Sequence, residues 1–166
     1  MIFVTVGTHQ QPFERLIRAL HAVDGDALVV QYGYAEPPPG VARATAFMTF
    51  PEMLWHFREA DAVVTHAGVG SILCATDAGH VPIVVPRLKR HGEHVDDHQV
   101  QFVRALEAAG KVLLVEDVDR LPVALDDVPP RRPPSERAAG PLHDAVRAAM
   151  LGARAPAVGS LSGPRT

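Results

Sequence analysis

A glycine-rich turn between an apolar run and a helical pattern constrains the fold of this chain more than any other feature. Residues 62–65 are apolar or β-branched and predict a buried strand, whereas residues 72–78 predict a helix that ends at Gly79. The turn between them, residues 66–71, reads His-Ala-Gly-Val-Gly-Ser. Such a turn presents backbone N–H groups and a helix N-terminus to an anion, but glycine is also frequent in ordinary turns. The turn alone therefore leaves an anion site and a plain connection equally open.

The same alternation of apolar runs and helical patterns recurs along the chain. Further strands are predicted at residues 2–6, 27–32, 44–50, 81–86 and 111–115. Further helices are predicted at residues 12–20, 51–60 and 117–125, and between a capping Asp96 or Asp97 and Gly110. In the first helix the apolar spacing leaves Glu14, Arg15 and Arg18 for solvent. Strands that alternate with helices imply one Rossmann-like α/β domain with a parallel, doubly wound sheet, whose ligands bind beyond the carboxyl ends of the strands.

Composition and charge narrow the class of protein. The 166 residues carry a formal net charge of −3, which gives no reason to expect a nucleic acid partner. Cys74 is the single cysteine and is expected to pack as a small buried side chain in a reducing compartment. The apolar N-terminal run is short and lacks a basic leader, and no run reaches membrane-spanning length. The sequence therefore predicts a cytoplasmic protein, or one held at a membrane by another component.

A change in composition near residue 129 divides the chain. Residues 1–128 are expected to form the α/β domain. Beyond it, residues 129–134 are predicted to be a proline-rich linker and residues 135–151 a helix. Residues 152–166 are rich in Gly, Pro, Ala, Ser and Arg and are predicted to be a disordered tail.

Five short motifs follow one another at specific spacings along residues 1–120. They are Phe-Val-Thr-Val-Gly-Thr at 3–8, Pro-Phe at 12–13 with Leu16, Ala-Asp-Ala-Val-Val-Thr-His-Ala-Gly-Val-Gly-Ser at 60–71, Pro-Ile-Val-Val-Pro-Arg at 82–87 and Gly-Glu-His-Val-Asp-Asp-His-Gln at 92–99. Together they resemble the C-terminal, donor-binding domain of glycosyltransferase family 28, which is the C-terminal half of a GT-B enzyme. The resemblance is greatest to stand-alone subunits of bacterial two-component exopolysaccharide transferases. It is weaker to the catalytic subunit of the eukaryotic dolichol-linked GlcNAc transferase.

The resemblance implies the donor-binding subunit of an inverting glycosyltransferase. Such an enzyme transfers a sugar from a UDP-sugar to a lipid-linked acceptor in exopolysaccharide or capsule biosynthesis. A separate, membrane-associated subunit would bind the acceptor, carry the main general base and hold this chain at the inner face of the membrane. Neither a metal nor another cofactor is implied, and the chain would be active only with its partner. The alternative is a non-catalytic accessory subunit that stabilises or stimulates a partner glycosyltransferase.

The resemblance also implies which residues contact the donor. These residues are Gly7, Thr8, His66, Gly68, Val69, Gly70, Ser71, Arg87, Asp97, His98 and Gln99. The glycine turn would hold the diphosphate, with Ser71 capping the helix or donating to a phosphate oxygen. Asp97 and Gln99 would bind the sugar hydroxyls. His9 is the local candidate for a proton donor, with a structural hydrogen bond as its alternative.

Several of these side chains have other interpretations. His66 either contacts the ligand or is a hydrogen-bonded core histidine, and Asp97 stabilises a helix N-terminus in any case. Arg87 begins a basic loop that could complement a diphosphate or a uronic acid carboxylate, face anionic lipid headgroups or remain solvated. Cys74 stands where many family members have the glutamate that holds the ribose hydroxyls. Asp77, one helical turn further on, or the backbone could take over that role.

Two further groups of residues bear on function. The acidic and histidine residues between 91 and 98 do not follow a standard zinc spacing, so no metal site is predicted. Tyr34, Trp55 and Phe57 are candidates for contact with a partner subunit, although core packing is favoured for each.

Overall fold

Strands and helices alternate along the residues that the computed structural model describes, 1–94 and 98–132. The strands are β1 (Ile2–Thr5), β2 (Leu28–Gln31), β3 (Arg43–Thr45), β4 (Ala62–His66), β5 (Ile83–Val85) and β6 (Leu113–Leu114). The α-helices are α1 (Glu14–Ala19), α2 (Phe50–Glu59), α3 (Val69–Asp77), α4 (His98–Ala108) and α5 (Leu121–Asp126). Short 3-10 helices occupy Leu20–Ala22, Gly25–Ala27, Lys89–His91 and Val118–Arg120.

The described residues lie within one unit, Met1–Glu136. The predictions for Asp97, for residues 133–134 of the linker, for a helix at 135–151 and for a tail at 152–166 fall outside them. In the described part of the chain, no helix combines the length and apolarity needed to cross a bilayer.

The six strands form one parallel sheet in the order β3-β2-β1-β4-β5-β6. β1 pairs with β2 on one side and with β4 on the other, so that Ile2 stands opposite both Leu28 and Ala62. The chain first builds outwards from β1 to β3 and then returns to the other side of β1, which places a switch point between β1 and β4. This is the order of a doubly wound Rossmann-like sheet, and the predicted fold class is confirmed.

Helices cover both faces of the sheet because neighbouring residues of a strand point to opposite faces. Val4 and Val64 belong to the cluster that includes Leu16 of α1, whereas Phe3 belongs to the cluster that includes Phe57 of α2. All five side chains are at most 1% exposed. Burial of a large apolar side chain contributes roughly 1.5–3 kcal/mol, so these two clusters dominate the stability of the domain.

The chain leaves β3 earlier than predicted. Instead of a strand at 44–50, the structure has the three-residue strand Arg43–Thr45, and Phe50 is already the first residue of α2. Thr49 ends the extended segment because its hydroxyl accepts the Glu52 N–H at 3.4 Å, while the Glu52 carboxylate accepts the Thr49 N–H at 2.8 Å. This capping box, Thr-x-x-Glu, fixes where the helix begins.

Arg15 of α1 does not face solvent, and that prediction was wrong. Its guanidinium donates to both carboxylate oxygens of Glu93, each at 3.0 Å, and to the backbone carbonyls of Pro86 and Glu116. The Arg15 and Glu93 side chains are only 15% and 6% exposed. Glu93 also accepts the N–H of Leu88 at 2.9 Å. Helical periodicity shows which residues face the sheet, but it does not show that a loop distant in sequence covers the flank of the helix.

The described part of the predicted linker lies against the domain. Arg131 donates to the carbonyl oxygen of Ala78 at 2.7 Å and to that of Arg58. The N–H of Arg132 donates to the carbonyl oxygen of Gly79 at 2.9 Å. These bonds satisfy carbonyl groups at or near the C-terminal ends of α2 and α3, which is a favourable place for a cation.

Candidate functional site

A cleft lies beyond the carboxyl ends of the strands, at the switch point between β1 and β4. Its volume is about 470 Å³, and it is lined by Thr8, His9, Gln10, His66, Arg87, His94 and Gln99. These described lining residues include three histidines and an arginine but no carboxylate. No group of three or more His, Cys, Asp or Glu side chains in the described residues could hold a metal ion. The composition of the cleft favours an anionic ligand.

The imidazole of His66 fills the space between the loop after β1 and the loop after β4. A Cβ on Gly7 would lie 2.5 Å from Cε1 of His66, and a Cβ on Gly68 would collide with the same ring. Gly7 also has a φ of +76°, which L side chains rarely adopt. Gly68 has an ordinary φ of −75°, so only the ring of His66 requires glycine there.

His66 is neutral at physiological pH. Burial, with smaller contributions from Arg87 and His9, lowers the pKa of His66 to about 4, and a backbone hydrogen bond with Thr5 partly opposes this. Its Nδ1 lies 3.5 Å from the hydroxyl oxygen of Thr65. His66 therefore packs against the two glycines and also forms part of the cleft wall. Its contact with a ligand stays a prediction.

The glycine-rich turn is shorter than predicted because α3 begins at Val69 rather than at residue 72. Gly68 is the N-cap, and no side chain caps the helix, so the expected capping by Ser71 was wrong. Ser71 lies in the first turn and is 6% exposed. The first bond of the helix runs from the Ile72 N–H to the Gly68 carbonyl at 3.1 Å. The N–H groups of residues 69–71 precede that bond and have no acceptor within the helix, as at any helix N-terminus.

Gln31, at the end of β2, fixes the backbone of the loop that follows β1. Its Oε1 accepts from the Thr5 hydroxyl at 2.6 Å and from the Gly7 N–H at 3.2 Å, while its amide nitrogen donates to the carbonyls of Gly7 (3.0 Å) and Ala46 (2.7 Å). Gln31 is 2% exposed, so all four bonds are buried or nearly so. The sequence motifs did not point to this residue; a lone glutamine at the end of an apolar strand was its only signal.

Arg87 is buried, so the interpretation as a solvated loop residue was wrong. It is 1% exposed, and its guanidinium lies 4.6 Å above the ring of Phe13. Its terminal nitrogens donate to the carbonyls of Val6 (3.1 Å) and Gln11 (2.8 Å), the two ends of the loop after β1. Its Nε is buried and has no hydrogen-bond partner among the described residues. Arg87 therefore holds that loop in place and puts a positive charge at the wall of the cleft.

His9 and His94 approach each other across the cleft from two different loops. Their ring centroids are 5.6 Å apart, with an angle of 41° between the planes. The Gln11 N–H donates to Nδ1 of His9 at 3.3 Å, so the neutral ring carries its proton on Nε2. His9 is exposed, but partial desolvation of its ring, followed by Arg87 and His94, lowers the pKa of His9. A structural hydrogen bond of His9, left open by the sequence, is thus present.

Gln99 is the described member of the predicted group Asp97, His98 and Gln99. It lines the cleft from the first turn of α4, which begins at His98. Its Oε1 is buried and has no partner in the described part of the chain. A buried acceptor of this kind can take a hydroxyl or N–H group from a ligand. The predicted contact with a sugar stays a prediction.

The three aromatic candidates for partner contact divide into two kinds. Phe57 is 1% exposed and belongs to the core, as favoured by the sequence. Core packing was wrong for Tyr34 and Trp55, because each is 55% exposed. Tyr34 makes an edge-to-face contact with Phe47, at 5.2 Å between ring centroids.

Cys74 packs inward from α3 and does not line the cleft. It is partly buried against the cluster that contains Phe3 and Phe57. The expected role as a small packed side chain accounts for this position. A thiol accepts hydrogen bonds only weakly.

The fold and the cleft define a class of protein: a Rossmann-like domain with a cleft lined by histidines and an arginine at the switch point of its sheet. The model of the glycosyltransferase family 28 C-terminal domain matches residues 1–145, so the chain belongs to this family. The chain is also similar to a UDP-N-acetylglucosamine transferase subunit, ALG13, of Yarrowia lipolytica (strain CLIB 122 / E 150), with 26% identity over 135 residues and 72% of this chain covered. It spans 66% of the length of that relative.

Proposed function

We infer that the chain is the donor-binding subunit of a two-component, inverting glycosyltransferase and that the cleft receives the diphosphate of a UDP-sugar. The observation that carries this proposal is the convergence of the α3 N-terminus, buried Arg87 and three histidines at one edge of the sheet. A diphosphate is stabilised by N–H donors and a positive potential, and both occur at this edge. The name of the ALG13 relative supports UDP as the nucleotide.

The cleft would act on the leaving group. In an inverting transfer the acceptor oxygen attacks the anomeric carbon while the bond to the diphosphate oxygen breaks on the opposite face. Negative charge then develops on the diphosphate, where the N–H groups of residues 69–71 and Nε2–H of His9 would stabilise it. Donors held in place by the fold need little reorganisation when this charge appears.

The general base is assigned to the partner subunit. Removal of the acceptor proton needs a group whose pKa lies near the working pH. The described residues of the cleft include no carboxylate, and the pKa of His66, about 4, is too low for efficient proton abstraction at neutral pH. The partner would also bind a lipid-linked acceptor of exopolysaccharide or capsule synthesis and hold this chain at the inner face of the membrane.

A second candidate function is that of a non-catalytic accessory subunit. Cys74 favours it, because a thiol replaces the glutamate that holds the ribose in many family members. In that case the domain would keep its fold and its contact with a partner glycosyltransferase but would bind no donor. The two functions therefore differ in whether the chain binds UDP.

Calorimetric titration of the chain with UDP separates these functions. We expect saturable binding, and we expect Val69→Pro to weaken it up to tenfold, because proline is tolerated at the first helical position but removes one N–H donor. Val69→Ala removes the same exposed side chain and keeps the N–H, so it should bind UDP like the native chain. Absence of UDP binding, alone and with the partner, would support the accessory function.

A turnover assay tests the division of labour between the subunits. The isolated chain should transfer no sugar from a UDP-sugar to a soluble acceptor, because the acceptor half and the base are elsewhere. Addition of the partner should restore transfer. Robust turnover by the chain alone would refute the two-component proposal.

A further inference from the structure

The two histidines that meet across the cleft are held by unrelated parts of the chain. His9 lies in the loop after β1, and His94 lies in the loop between β5 and α4. Both line the same cleft, and their ring centroids are 5.6 Å apart. Two imidazolium ions at this distance repel each other, whereas a doubly charged anion between or beside them attracts both.

The tautomer of His9 suits it to an anionic ligand. Because the Gln11 N–H donates to Nδ1 at 3.3 Å, Nε2 of the neutral ring is a donor. Protonation of His9 would put a second N–H where Nδ1 now accepts, and the Gln11 bond would be lost. The loss of this bond disfavours protonation of the ring until a negative charge in the cleft compensates for it.

The other charged groups around His9 and His94 determine whether protonation is favoured or disfavoured there. Arg87, at the wall of the cleft, and His94 both act on His9, and His9 in turn acts on His66 at the end of β4. The carboxylate of Glu93, beside His94 in sequence, is bound to Arg15 and to the Leu88 N–H. Arg87 and His94 therefore both disfavour protonation of His9 until an anion binds.

We propose that His9 and His94 form a two-histidine clasp for the diphosphate of the donor, and that donor binding transfers one proton from solution to His9. The proposal rests on the proposed donor site and deepens it. The proton comes from the buffer, and no other bond is made or broken. The affinity for the donor therefore falls as the pH rises, and release of the nucleotide returns the proton to solution.

The direction in which the UDP affinity changes with pH follows from the coupling between proton binding and UDP binding. Without ligand the exposed His9 ring is mostly neutral at pH 7.5, because partial desolvation, Arg87 and His94 lower the pKa of His9 from its ordinary value of 6.5. A bound diphosphate carries at least two negative charges, stabilises the protonated form and raises the pKa of His9 by roughly 2–3 units. Between the two values the complex holds more protons than the free chain, so the dissociation constant rises by up to tenfold per pH unit.

The test is calorimetric titration of the 166-residue chain with UDP at pH 7.5 in PIPES, HEPES and Tris. The slope of the binding enthalpy against the ionisation enthalpy of the buffer gives the number of protons taken up. At this pH the terminal phosphate of UDP is already ionised, since its second pKa is about 6. We expect an uptake of about 0.5–1 proton per UDP for the native chain. Uridine, which lacks the diphosphate, should take up none.

Variants locate the proton. The double variant His9→Asn, His94→Asn should still bind UDP, but with lower affinity than the native chain and without proton uptake. Thermal unfolding should show that the variant remains folded. His91→Asn is the matched control, because His91 is an exposed histidine of the same loop that does not line the cleft. It should keep the native uptake and the native affinity.

The outcomes are distinct. UDP binding by the native chain with no proton uptake in any buffer would overturn the clasp and leave the donor site standing. Uptake that persists in the double variant would also overturn it, because a group other than His9 would then take up the proton. Absence of UDP binding at every pH would overturn the donor site itself, and the clasp with it.

Discussion

The ring of His66 occupies the space that any side chain on Gly68 would need. The two residues are separated only by Ala67, at the point where β4 ends and α3 is about to begin. Since Gly68 has an ordinary negative φ, the requirement for glycine comes from this contact and not from the backbone. The geometry of the α3 N-terminus is thus tied to the position of one histidine ring.

Replacement of Gly68 by alanine tests this relationship. We expect Gly68→Ala to lower the free energy of unfolding by about 1–3 kcal/mol, because the new methyl group displaces the His66 ring or the start of α3. UDP affinity should fall at least tenfold, which corresponds to about 1.4 kcal/mol. Urea unfolding and calorimetric titration measure the two effects.

Gly40→Ala is the control for Gly68→Ala. Gly40 has a φ of +69°, and a methyl group added to it would meet no atom of the described residues within 4 Å. Alanine there therefore adds only backbone strain of about 1 kcal/mol. UDP binding should stay at the native level. Native-like UDP binding by Gly68→Ala would contradict the role of the His66 contact.

Gln31→Leu removes the side-chain hydrogen bonds that fix the loop after β1. The variant leaves buried groups of Thr5, Gly7 and Ala46 without their partner, and each such group costs about 1–3 kcal/mol. We expect a loss of roughly 3 kcal/mol in the free energy of unfolding and weaker UDP binding, measured by denaturation and titration. Gln101→Leu, an exposed site on α4, should change stability by less than about 0.5 kcal/mol. Equal stability of the two variants would show that the hydrogen bonds of Gln31 do not contribute to the free energy of unfolding.

Glu93→Ala breaks the buried ion pair with Arg15. A guanidinium left without its carboxylate at 15% exposure should lower the free energy of unfolding by roughly 3–5 kcal/mol. Arg104→Ala breaks the exposed pair with Glu116, whose side chains are 61% and 34% exposed, and should cost at most about 1 kcal/mol. Chemical denaturation of both variants gives the comparison, and similar losses would mean that burial of the Arg15 pair has no energetic consequence.

Low pH should lower the free energy of unfolding because His66 becomes protonated. The pKa of this ring is about 4 in the folded chain against 6.5 for an ordinary histidine, so between these values the unfolded chain binds more protons. The contribution is fully present above pH 6.5 and is lost as the pH falls towards 4, for a total of up to about 3 kcal/mol. His66→Gln should therefore flatten the pH dependence of the unfolding free energy between about pH 7 and pH 5. An unchanged slope in that variant would contradict the lowered pKa of His66.

Local patterns were sufficient for most of the architecture. Apolar runs predicted the six strands, and the strand–glycine–helix unit at residues 62–78 predicted the switch-point loop, because buried parallel strands have a recognisable composition. The end of β3 was missed although the capping box between Thr49 and Glu52 can be recognised in the sequence. That error came from weighing hydrophobicity above capping.

Residues whose partners are distant in sequence were not predictable. Arg15 meets Glu93 across 78 positions, and Arg87 reaches the carbonyl of Val6 across 81. A charged residue in a loop or on a helix flank is most often solvated, so nothing local marks these two as buried. Gln31 was missed for the same reason, since its bonds to Gly7 exist only once β1 and β2 are paired.

By itself the sequence determined the class of fold, the family motifs and the two loops that meet at the switch point, because periodicity and glycine spacing are properties of short segments. The tertiary structure decided what those loops do. It placed His66 against Gly7 and Gly68, buried Arg87 at the wall of the cleft and brought His9 to His94. Burial and charge proximity depend on which segments the fold brings together, and those quantities set the pKa values and the potential of the cleft.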